Sequence, residues 1–538
     1  MDGYKICILA AGAGTRMGEL SQHLHKTILP VNFKATISYI IEKFPAHLEI
    51  VVAIGHKKDT IVDYLALAHP DRKFTFVRIA DYVGPGTGPG YSLLQCRNEL
   101  KCPFILVTGD TIVLENIPEP DKNWFGVSAV NSPEEYCTVK IKNNLVCQID
   151  DKVKCNNKFA WIGLAGIYDF QTFFSAIETN KDQIAGEIQT SNGFKSLIEK
   201  QLSVINFTWF DTGTLEKYQV VNKMFSGEQL RFDFSKKDEF LYFINDKVIK
   251  YYSNPDIVQK RYARSKLLKD ICPPIKAIQG GFYVYKKVDG QVFYNVLNNR
   301  LLDNFLSWAQ KYLWSLKPLI TVQNSQFVDA CRRFYFDKTH ERIKDFYDKT
   351  GLIDTTHNIN GVNIPPLSEL LSHIDWDYLC QGVPTTIHGD LQFDNILVTD
   401  EKDNFKNQFV LLDWRQDFGG LIETGDLYYD LSKLYGGILI SYALIKEGMF
   451  SFDMSGKEVF YKYYIKNDLL EAKDTYEEFL RKNNFDFLKV RFITSLIFLN
   501  MAALHKSDFN YLLYFLGKKM LFSVLTNSKM ELEAFKKL

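Results

Sequence analysis

The 538-residue sequence has no excess charge of either sign, no long hydrophobic run and no spaced pair of cysteines. Its 64 basic side chains balance 64 acidic ones, so no overall field would attract nucleic acid or an anionic membrane. The longest apolar stretch, at 492–504, has about half the length of a membrane span and contains asparagine and serine. This stretch predicts a buried helix, and we expect no membrane span and no nucleic-acid partner.

The cysteines also exclude two kinds of scaffold. The nine of them are scattered singly, without the CxxC or CxxH spacing of zinc sites. An odd number of unpaired cysteines favours reduced thiols in a cytoplasmic protein. The apolar stretch before the first glycines is too short for a signal peptide. We therefore expect a cytoplasmic location and neither a disulfide framework nor a zinc site.

What the sequence does contain is alternation of short apolar runs with helical patterns from residue 4 to about 225. Runs such as 5–11, 49–55 and 103–110 are typical of buried strands, and stretches such as 35–44 and 59–68 are typical of helices. Strands that alternate with helices predict an α/β fold with a mainly parallel sheet. The chain length predicts two or three domains.

The pattern changes near residue 226. The charged stretch at 225–238 is followed by FLYFI and KVIKYY, which flank Asn245-Asp246 and predict a hairpin with a two-residue turn. From about 290 onward the periodicity is mostly helical, interrupted by strand-and-loop patterns at 385–398 and 409–420. A second domain is therefore expected to begin near 226.

The first motif that carries chemistry is LAAGAGTRMG at 9–18. Gly12 and Gly14 follow the first predicted strand and allow backbone N–H groups to face a phosphate, and Arg16 adds positive charge there. Lys26 follows in HKTILPV at 25–31. The spacing fits neither the GxGxxG dinucleotide fingerprint nor a P-loop.

This combination resembles the signature of sugar-phosphate and choline-phosphate nucleotidyltransferases, which have a GT-A-like Rossmann-type fold. The resemblance implies that Gly12 and Gly14 bind a nucleoside triphosphate and that Arg16 and Lys26 neutralise its phosphates during catalysis.

Three further residues follow from the same resemblance. Asp110 in VTGDT and Asp211 in WFDTGT correspond to the family's metal-binding aspartates and imply Mg²⁺ as cofactor. Gly88, in the loop GPGTGPG at 84–90, corresponds to a nucleotide contact.

The second motif is IHGDLQFDNILV at 387–398. Kinase-type phosphotransfer uses a carboxylate that accepts the alcohol proton and an amide five residues later that helps to hold Mg²⁺, and Asp390 and Asn395 have this spacing. Asp413 ends the apolar run LLDW, where a second metal ligand is expected.

The set H-G-D-x-x-x-x-N followed by L-D-W resembles aminoglycoside phosphotransferases and choline kinases, which share the protein-kinase-like fold. The resemblance implies that Asp390 is the catalytic base, that Asn395 and Asp413 bind Mg²⁺ and that His388 orients the loop. Asp426 and Asp430 would be structural or on the substrate side.

The kinase-like N-lobe is expected to contact ATP phosphates through Lys250. The predicted division is then a nucleotidyltransferase domain at 1–225, a kinase N-lobe and hinge at 226–320, and a kinase C-lobe at 321–538. This N-lobe departs from the family pattern. No glutamate occurs between 251 and 320 to pair with Lys250, so Asp256 or Asp270 is considered as a substitute. SKKDE stands where the ATP-covering glycines are expected.

Together the two resemblances imply a bifunctional enzyme that acts in series. An ATP-dependent kinase would phosphorylate a small alcohol, amino alcohol, polyol or sugar, and the nucleotidyltransferase would join the product to a second nucleotide, with CTP favoured, for surface polysaccharide decoration such as capsule.

Two alternatives remain open for the whole chain. One is a sugar kinase fused to a UTP- or GTP-dependent sugar-1-phosphate nucleotidyltransferase. The other is a nucleotidyltransferase with a non-catalytic, ligand-binding kinase-like domain.

Two further groups of side chains, tryptophans and histidines, are not assigned to a binding site. Trp308, Trp376 and Trp414 are more consistent with core positions than with an aromatic cage for choline, because such residues are usually core. The histidines, among them His23, His25 and His56, are interpreted as loop or surface residues, because no metal-ligand spacing links them.

Overall fold

A computed structural model describes residues 3–226, 238–314, 321–400, 405–506, 508–526 and 534–535. The chain divides into two compact units. The first combines 3–226 with 238–255 and 277–284, and the second combines 256–276 with the described residues from 285 onward. Most of the SKKDE loop lies outside the described residues.

The first unit is an α/β domain. Its strands in the first 226 residues are β1 (Lys5–Ala10), β2 (Pro30–Val31), β3 (Lys34–Ala35), β4 (Ile50–Ile54), β5 (Phe74–Arg78), β6 (Phe104–Thr108), β7 (Thr111–Val113), β8 (Trp124–Ala129), β9 (Cys137–Lys142), β10 (Leu145–Asp151), β11 (Phe159–Ile167), β12 (Gln183–Ile184), β13 (Glu187–Ile188), β14 (Ser203–Asn206) and β15 (Trp209–Asp211). Its helices there are α1 (Thr36–Ile41), α2 (Lys58–Ala68), α3 (Pro89–Gln95), α4 (Phe170–Thr179), α5 (Ser191–Leu197) and α6 (Leu215–Ser226).

The central sheet has the order β5-β4-β1-β6-β11-β8-β14-β10-β9. Strands β5, β4, β1 and β6 are parallel to one another, as the alternating pattern predicted. The rest of the sheet is mixed, because β11 runs antiparallel to β6 and β8. Ligand sites form beside the carboxyl ends of parallel strands, so the ends of β1 and β6 are where a site is expected.

Alternation along β1 builds a core on both faces of this sheet. Ile6 and Ile8 pack on one face, and Cys7 packs on the other. This period of two is what a strand covered on both sides requires. All nine cysteines are free thiols.

A second, four-stranded sheet follows, in the order β16 (Glu239–Ile244), β17 (Lys247–Tyr252), β19 (Phe282–Lys286) and β18 (Ile275–Gln279). The predicted two-residue turn at Asn245-Asp246 is confirmed, because Ile244 pairs with Lys247. The hairpin β16–β17 belongs to the first unit, whereas the division by sequence assigns it to a separate kinase N-lobe.

Aromatic side chains join this hairpin to the α/β core. The rings of Tyr64 and Tyr242 lie 4.9 Å apart, and Tyr242, Ile249 and Phe282 belong to the same buried cluster as Ile8. The Tyr242 hydroxyl donates to the carbonyl of Ile28 at 2.8 Å, and that of Tyr251 donates to the carbonyl of His23 at 3.2 Å. The hairpin therefore holds both ends of the segment that carries Lys26.

The second unit is mostly helical. Its helices are α7 (Pro255–Leu267), whose first residue belongs to the first unit, α8 (Phe293–Val296), α9 (Asn299–Tyr312), α10 (Thr321–Arg332), α11 (Lys338–Thr350), α12 (Leu367–Ser372), α13 (Trp376–Cys380), α14 (Leu427–Leu439), α15 (Tyr442–Lys446), α16 (Asn467–Lys482), α17 (Phe487–Ala502) and α18 (Asp508–Leu525). Its strands are β20 (Gln291–Val292), β21 (His357–Ile359), β22 (Val362–Ile364), β23 (Pro384–Thr385), β24 (Ile396–Val398), β25 (Phe409–Leu411), β26 (Gly425–Asp426), β27 (Phe450–Ser455), β28 (Glu458–Tyr464) and β29 (Ala534–Phe535).

The apolar stretch at 492–504 lies largely in α17, which is mainly buried against other helices, so the prediction of a buried helix is confirmed. In the described residues no helix has the length and apolar character needed to cross a membrane.

Candidate functional site

The glycine loop directly follows β1. Gly14 has a left-handed backbone, with φ of +67°, and precedes a short helical turn at Thr15–Ser21. A Cβ added to Gly12 would meet nothing within 4 Å, so the loop is open on that side. Arg16 is exposed on the turn. This geometry leaves room for a phosphate beside the backbone and the guanidinium.

His25 holds this loop in place, a role that the sequence analysis missed. The ring is 1% exposed; its Nε2–H donates to the Gly12 carbonyl at 2.9 Å, and its Nδ1 accepts from the Thr27 N–H at 3.2 Å. Burial lowers the pKa of His25 to about 3, despite the bond to Gly12. The interpretation of His25 as a loop or surface residue is therefore wrong in its surface part: the ring is a buried, neutral anchor.

Asp110 and Lys26 meet at the end of β6. Lys26 Nζ lies 2.5 Å from Asp110 Oδ2. Burial raises the pKa of Asp110, but Lys26, with smaller contributions from Thr108 and Arg16, outweighs burial and lowers this pKa to about 2. The predicted phosphate-binding residues and the predicted metal ligand therefore lie together.

Asp211 reaches the same place through strand pairing. Strand β15 runs antiparallel to β7, with Asp211 opposite Thr111, so Asp211 and Asp110 become neighbours. A Cβ built on Gly213 would lie 2.9 Å from Asp211 Oδ1 and 3.2 Å from Asp110 Oδ2. Only a glycine at 213 keeps the space between the two carboxylates open.

These donors fit a magnesium ion. Mg²⁺ is commonly held by one or two carboxylates and completes its octahedral shell with substrate phosphates and water. Asp110 and Asp211 supply the two carboxylates, and Gly213 supplies the space. No cluster of three or more His, Cys, Asp or Glu side chains placed to hold a metal occurs in the described ranges.

Lys217 and Tyr136 form a second group that sequence reasoning missed. Lys217 Nζ lies 3.1 Å from Asp211 Oδ2 and donates to the Tyr136 hydroxyl at 2.6 Å, and this hydroxyl donates to Asp211 Oδ2 at 3.2 Å. Burial opposes the charged form of Lys217, but Tyr136, Glu135 and Asp211 together raise its pKa above the ordinary value. The only sequence signal was the spacing of Lys217 from Asp211 across the start of α6.

Gly88 lies in a loop that packs against β12 and β13. It has φ of +111°, and a Cβ there would lie 2.7 Å from the Cβ of Glu187. This close approach accounts for the glycine structurally. Nucleotide contact at Gly88 stays a prediction.

In the second unit, backbone and side-chain hydrogen bonds hold the loop that contains His388, Gly389 and Asp390, which we call the HGD loop. Asn395 Nδ2 donates to the Asp390 carbonyl at 2.8 Å, which leaves its Oδ1 available as a metal ligand. His388 Nε2 donates to the Leu412 carbonyl at 2.8 Å, and burial lowers the pKa of His388 to about 4. Gly389 has φ of +83°, and a Cβ there would lie 2.7 Å from the Cβ of Arg415.

Asp413 follows β25 in a left-handed backbone, with φ of +59°. A residue other than glycine seldom adopts this conformation, which concentrates at functional sites. Its Oδ1 lies 3.7 Å from Arg261 Nη1 on α7. The roles of Asn395 and Asp413 as magnesium ligands stay predictions.

Asp430, on α14, holds the HGD loop by hydrogen bonds to the loop backbone. Its carboxylate is fully buried and accepts from the N–H groups of His388 and Gly389, both at 2.8 Å, and from Trp314 Nε1 at 3.2 Å. Burial raises the pKa of Asp430 to about 6, against the effect of these bonds. Asp426 caps α14 by accepting from the Tyr428 N–H at 3.2 Å. Both contacts are structural.

The remaining N-lobe residues lie on different elements. Lys250 lies on β17 in the first unit. Asp270 pairs with Lys406 at 3.0 Å, and Asp256 lies in the first turn of α7. The role of Lys250 in binding ATP stays a prediction, as does a pairing role for Asp256.

Two of the three tryptophans are core residues. Trp308 and Trp414 are at most 1% exposed, and their indole N–H groups donate to the carbonyls of Lys406 and Arg261, respectively. Trp376 packs edge-on against Phe336 at 5.0 Å. No ring contact joins the three tryptophans in the part of the chain that the structure describes.

Comparison with known proteins gives a match in the first unit. Residues 6–116 match the family model of the MobA-like NTP transferase domain. The chain is 30% identical over 219 residues to the bifunctional protein GlmU of Methanococcus vannielii, covering 38% of this chain and 51% of that protein. It is 31% identical over 215 residues to the bifunctional protein GlmU of Methanocaldococcus jannaschii, with 38% and 50% covered. The chain thus spans about half the length of these relatives.

A solved structure described as a putative glucose-1-phosphate thymidylyltransferase from Bacillus anthracis is 20% identical, with a TM-score of 0.37; the alignment covers 44% of this chain and 98% of that one. The family match confirms an α/β nucleotidyltransferase domain in the N-terminal part of the chain. The kinase-like assignment of the later residues stays a prediction.

Proposed function

We propose that the first unit transfers a nucleotidyl group from a nucleoside triphosphate to a small phosphomonoester. The observation that carries this proposal is the pair of carboxylates, Asp110 and Asp211, facing each other across Gly213 beside Lys26. A bound Mg²⁺ would supply Lewis-acid stabilisation of the charge that develops on the α-phosphate.

The protein's own groups align and neutralise the reactants. The glycine loop presents backbone around Gly12 to the triphosphate, and Arg16 and Lys26 lie beside it. A phosphomonoester oxygen attacks the α-phosphorus, the bond to the bridging oxygen of the β-phosphate breaks, and pyrophosphate leaves. No covalent intermediate on the protein is needed, so alignment and charge account for the catalysis.

We further propose that the second unit phosphorylates the alcohol from which this phosphomonoester derives. Support comes from the HGD loop, in which Asn395 fixes the Asp390 backbone and Asp413 follows β25 in a left-handed conformation. The alcohol oxygen attacks the γ-phosphorus of ATP, ADP leaves, and the hydroxyl proton passes to the Asp390 carboxylate. In series, the two units make a nucleotide-diphospho-alcohol, with CTP as the favoured second nucleotide and a sugar phosphate within the range of intermediates.

The test uses the full chain with Mg²⁺, ATP, one of CTP, UTP or GTP, and a panel of alcohols, amino alcohols, polyols and sugars. ADP and pyrophosphate are followed separately by ³¹P NMR. Asp390→Asn should abolish ADP formation but leave pyrophosphate formation from a supplied phosphomonoester, and Asp110→Asn should do the reverse. Asp390→Asn with unchanged ADP formation would contradict the kinase proposal, because loss of a general base typically costs about 100-fold or more.

A further inference from the structure

Basic side chains gather around the Asp390 carboxylate in the second unit. Lys433 Nζ lies 2.7 Å from Asp390 Oδ1, and the Lys433 side chain is only 8% exposed. Lys338 and Arg415 both lie over the ring of Phe334, with their charged groups 4.1 Å and 4.8 Å from its centroid. Arg342 follows Lys338 by one turn on α11 and so shares its face. We call Lys338, Arg342, Arg415 and Lys433 the cationic cluster.

Two members of this cluster, Lys338 and Arg415, have no carboxylate close by in the described ranges. Within the described ranges, no carboxylate lies within ion-pair distance of Lys338 or Arg415, and Arg342 has only Asp345, at 4.0 Å. The Arg415 Nε is buried without a hydrogen-bond partner among the described residues. Lys433 already forms an ion pair with Asp390.

The electrostatic cost of this arrangement is visible at Lys338. Burial lowers the pKa of Lys338 well below its ordinary value, and Arg415, Lys433 and Arg342 lower it further, with Asp390 opposing them. Lys338, Arg342 and Arg415 are partly buried. Partly buried positive charges that repel one another are unfavourable unless an anionic ligand compensates them. Lys338 also directly follows a π-helical stretch at Arg333–Asp337 that separates it from α10, and such stretches frequently occur at functional sites.

We propose that the acceptor of the second unit is an alcohol that carries an anionic group, either a carboxylate or a phosphate. Lys338, Arg342 and Arg415 bind this group while the hydroxyl faces Asp390. The inference rests on the proposed phosphotransfer function and narrows its substrate class.

The charge of the cluster disfavours a choline-like acceptor. A quaternary ammonium group is recognised by aromatic faces with negative charge nearby. Here Phe334 is buried and its ring already contacts two cations, Lys338 and Arg415, and Trp308 and Trp414 are core residues. A cationic acceptor would meet like charges at Lys338 and Arg415.

A competing role for the cluster is to bind the γ-phosphate of ATP. The two roles separate kinetically, because loss of an acceptor contact raises KM for the alcohol and loss of an ATP contact raises KM for ATP. Lys338→Met and Arg342→Met test this. Lys344→Met, an exposed lysine on the same helix, is the matched control.

The experiment measures ADP release by the full chain with Mg²⁺, ATP and matched acceptors. One set is glycerol, glycerate and glycerol 3-phosphate, and the other is glucose, glucuronate and glucose 6-phosphate; ethanolamine and choline supply the cationic arm. We expect kcat/KM at least about 10-fold higher for a carboxylate- or phosphate-bearing member than for its neutral parent. The charged acceptor with the higher kcat/KM shows whether the cluster binds a carboxylate or a phosphate.

The variants then test whether the cationic cluster causes the preference for a charged acceptor. Lys338→Met and Arg342→Met should raise KM for the charged acceptor about 10-fold or more and leave KM for ATP within about 2-fold, and Lys344→Met should change neither. Equal or better turnover of neutral or cationic alcohols would overturn the inference and leave the kinase proposal intact. A rise in KM for ATP alone would also overturn it.

Binding provides a readout that does not need turnover. Thermal shift of the full chain by glycerate and by glycerol 3-phosphate is compared between Lys338→Met and Lys344→Met. If no acceptor yields ADP but one of these anions stabilises the control and not Lys338→Met, the anion site stands and the kinase proposal fails. If neither turnover nor a difference in binding is seen, both fail.

Discussion

Gly213 is the residue on which the proposed magnesium site of the first unit depends most directly. Its missing side chain leaves the space between Asp110 and Asp211, and its N–H donates to Asp211 Oδ1 at 2.8 Å. An added methyl would occupy the volume in which both carboxylates would reach a shared ion.

We predict that Gly213→Ala lowers pyrophosphate release by about 100-fold or more, a loss comparable to removing an oriented electrostatic contact. Gly3→Ala, where a Cβ would meet nothing within 4 Å, is the control. The measurement is pyrophosphate release against Mg²⁺ concentration, with thermal unfolding in parallel. Full activity of Gly213→Ala at low Mg²⁺ would contradict the assignment of these two ligands.

His25 gives the first unit a defined pH response. A histidine ionises near pH 6.5 when unfolded, and burial lowers the pKa of His25 to about 3 in the folded protein. Between these values the unfolded state binds the extra proton, so this contribution to stability is present at neutral pH and is lost as pH falls below about 6.5.

We therefore expect the wild type to lose roughly 2 to 3 kcal/mol more unfolding free energy than His25→Gln between about pH 7 and pH 4.5. Glutamine keeps a donor for the Gly12 carbonyl but cannot take up the proton. Urea unfolding at the two pH values measures the difference. Equal losses would show that His25 ionises freely in the folded state.

Several site residues were predictable from sequence because their motifs are local. Gly12, Gly14 and Arg16 follow one strand, and Asp390 and Asn395 lie five residues apart on one loop. His25 and Lys217 were not predictable, because their partners, Gly12 and Asp211, are brought to them by the folded loop and by strand register. A lone histidine or lysine carries no such information in sequence.

At the scale of elements, helix α14 positions the HGD loop. Asp430, one turn into this helix, accepts two backbone N–H groups of the loop and the indole N–H of Trp314. Replacing one carboxylate oxygen by an NH₂ group would set a donor against a donor in a buried site, which leaves polar groups unsatisfied.

Asp430→Asn should therefore lower ADP formation by at least about 10-fold and lower the unfolding temperature of the second unit. Asp453→Asn, an exposed aspartate on β27, is the matched control. ADP release and thermal unfolding are measured on the full chain. Unchanged ADP release would mean that the HGD loop holds its shape without the carboxylate of Asp430.

Element positions were partly predictable. The hairpin turn, the four parallel strands and the buried helix at 492–504 follow from local pattern. Helix α3 begins at Pro89, because Gly88 and Pro89 fix its start against the β12–β13 hairpin, a contact that the local pattern does not encode. The antiparallel insertion of β11 next to β6 depends on long-range pairing, which periodicity does not encode.

At the scale of the whole molecule, the hairpin β16–β17 folds with the nucleotidyltransferase core. Tyr242 is fully buried against Tyr64 and Phe282, and its hydroxyl bonds to Ile28 near Lys26. The boundary read from composition near 226 therefore differs from the boundary of the compact unit. The composition of the sequence indicates where a polar linker lies, but side-chain packing determines to which compact unit the strands after that linker belong.

Tyr242→Ala should destabilise the first unit by roughly 3 to 5 kcal/mol, as expected for loss of a large buried aromatic side chain. Heat inactivation of pyrophosphate release should then occur at a lower temperature than in the wild type, and inactivation of ADP release should change less. Tyr168→Phe, at a half-exposed tyrosine of the same unit, is the control. A shift confined to ADP release would place the hairpin functionally with the second unit.

The central claim is that one chain phosphorylates an alcohol and then couples that same phosphate to a nucleotide. The most direct measurement supplies the full chain with Mg²⁺, γ-³²P-labelled ATP, unlabelled CTP and the accepted alcohol, and follows the label by chromatography. The account predicts label in the nucleotide-diphospho-alcohol, in amounts that Asp390→Asn and Asp110→Asn each abolish. Label that stops at a phosphomonoester or at inorganic phosphate, with none in a nucleotide-linked product for any of CTP, UTP and GTP, would contradict it.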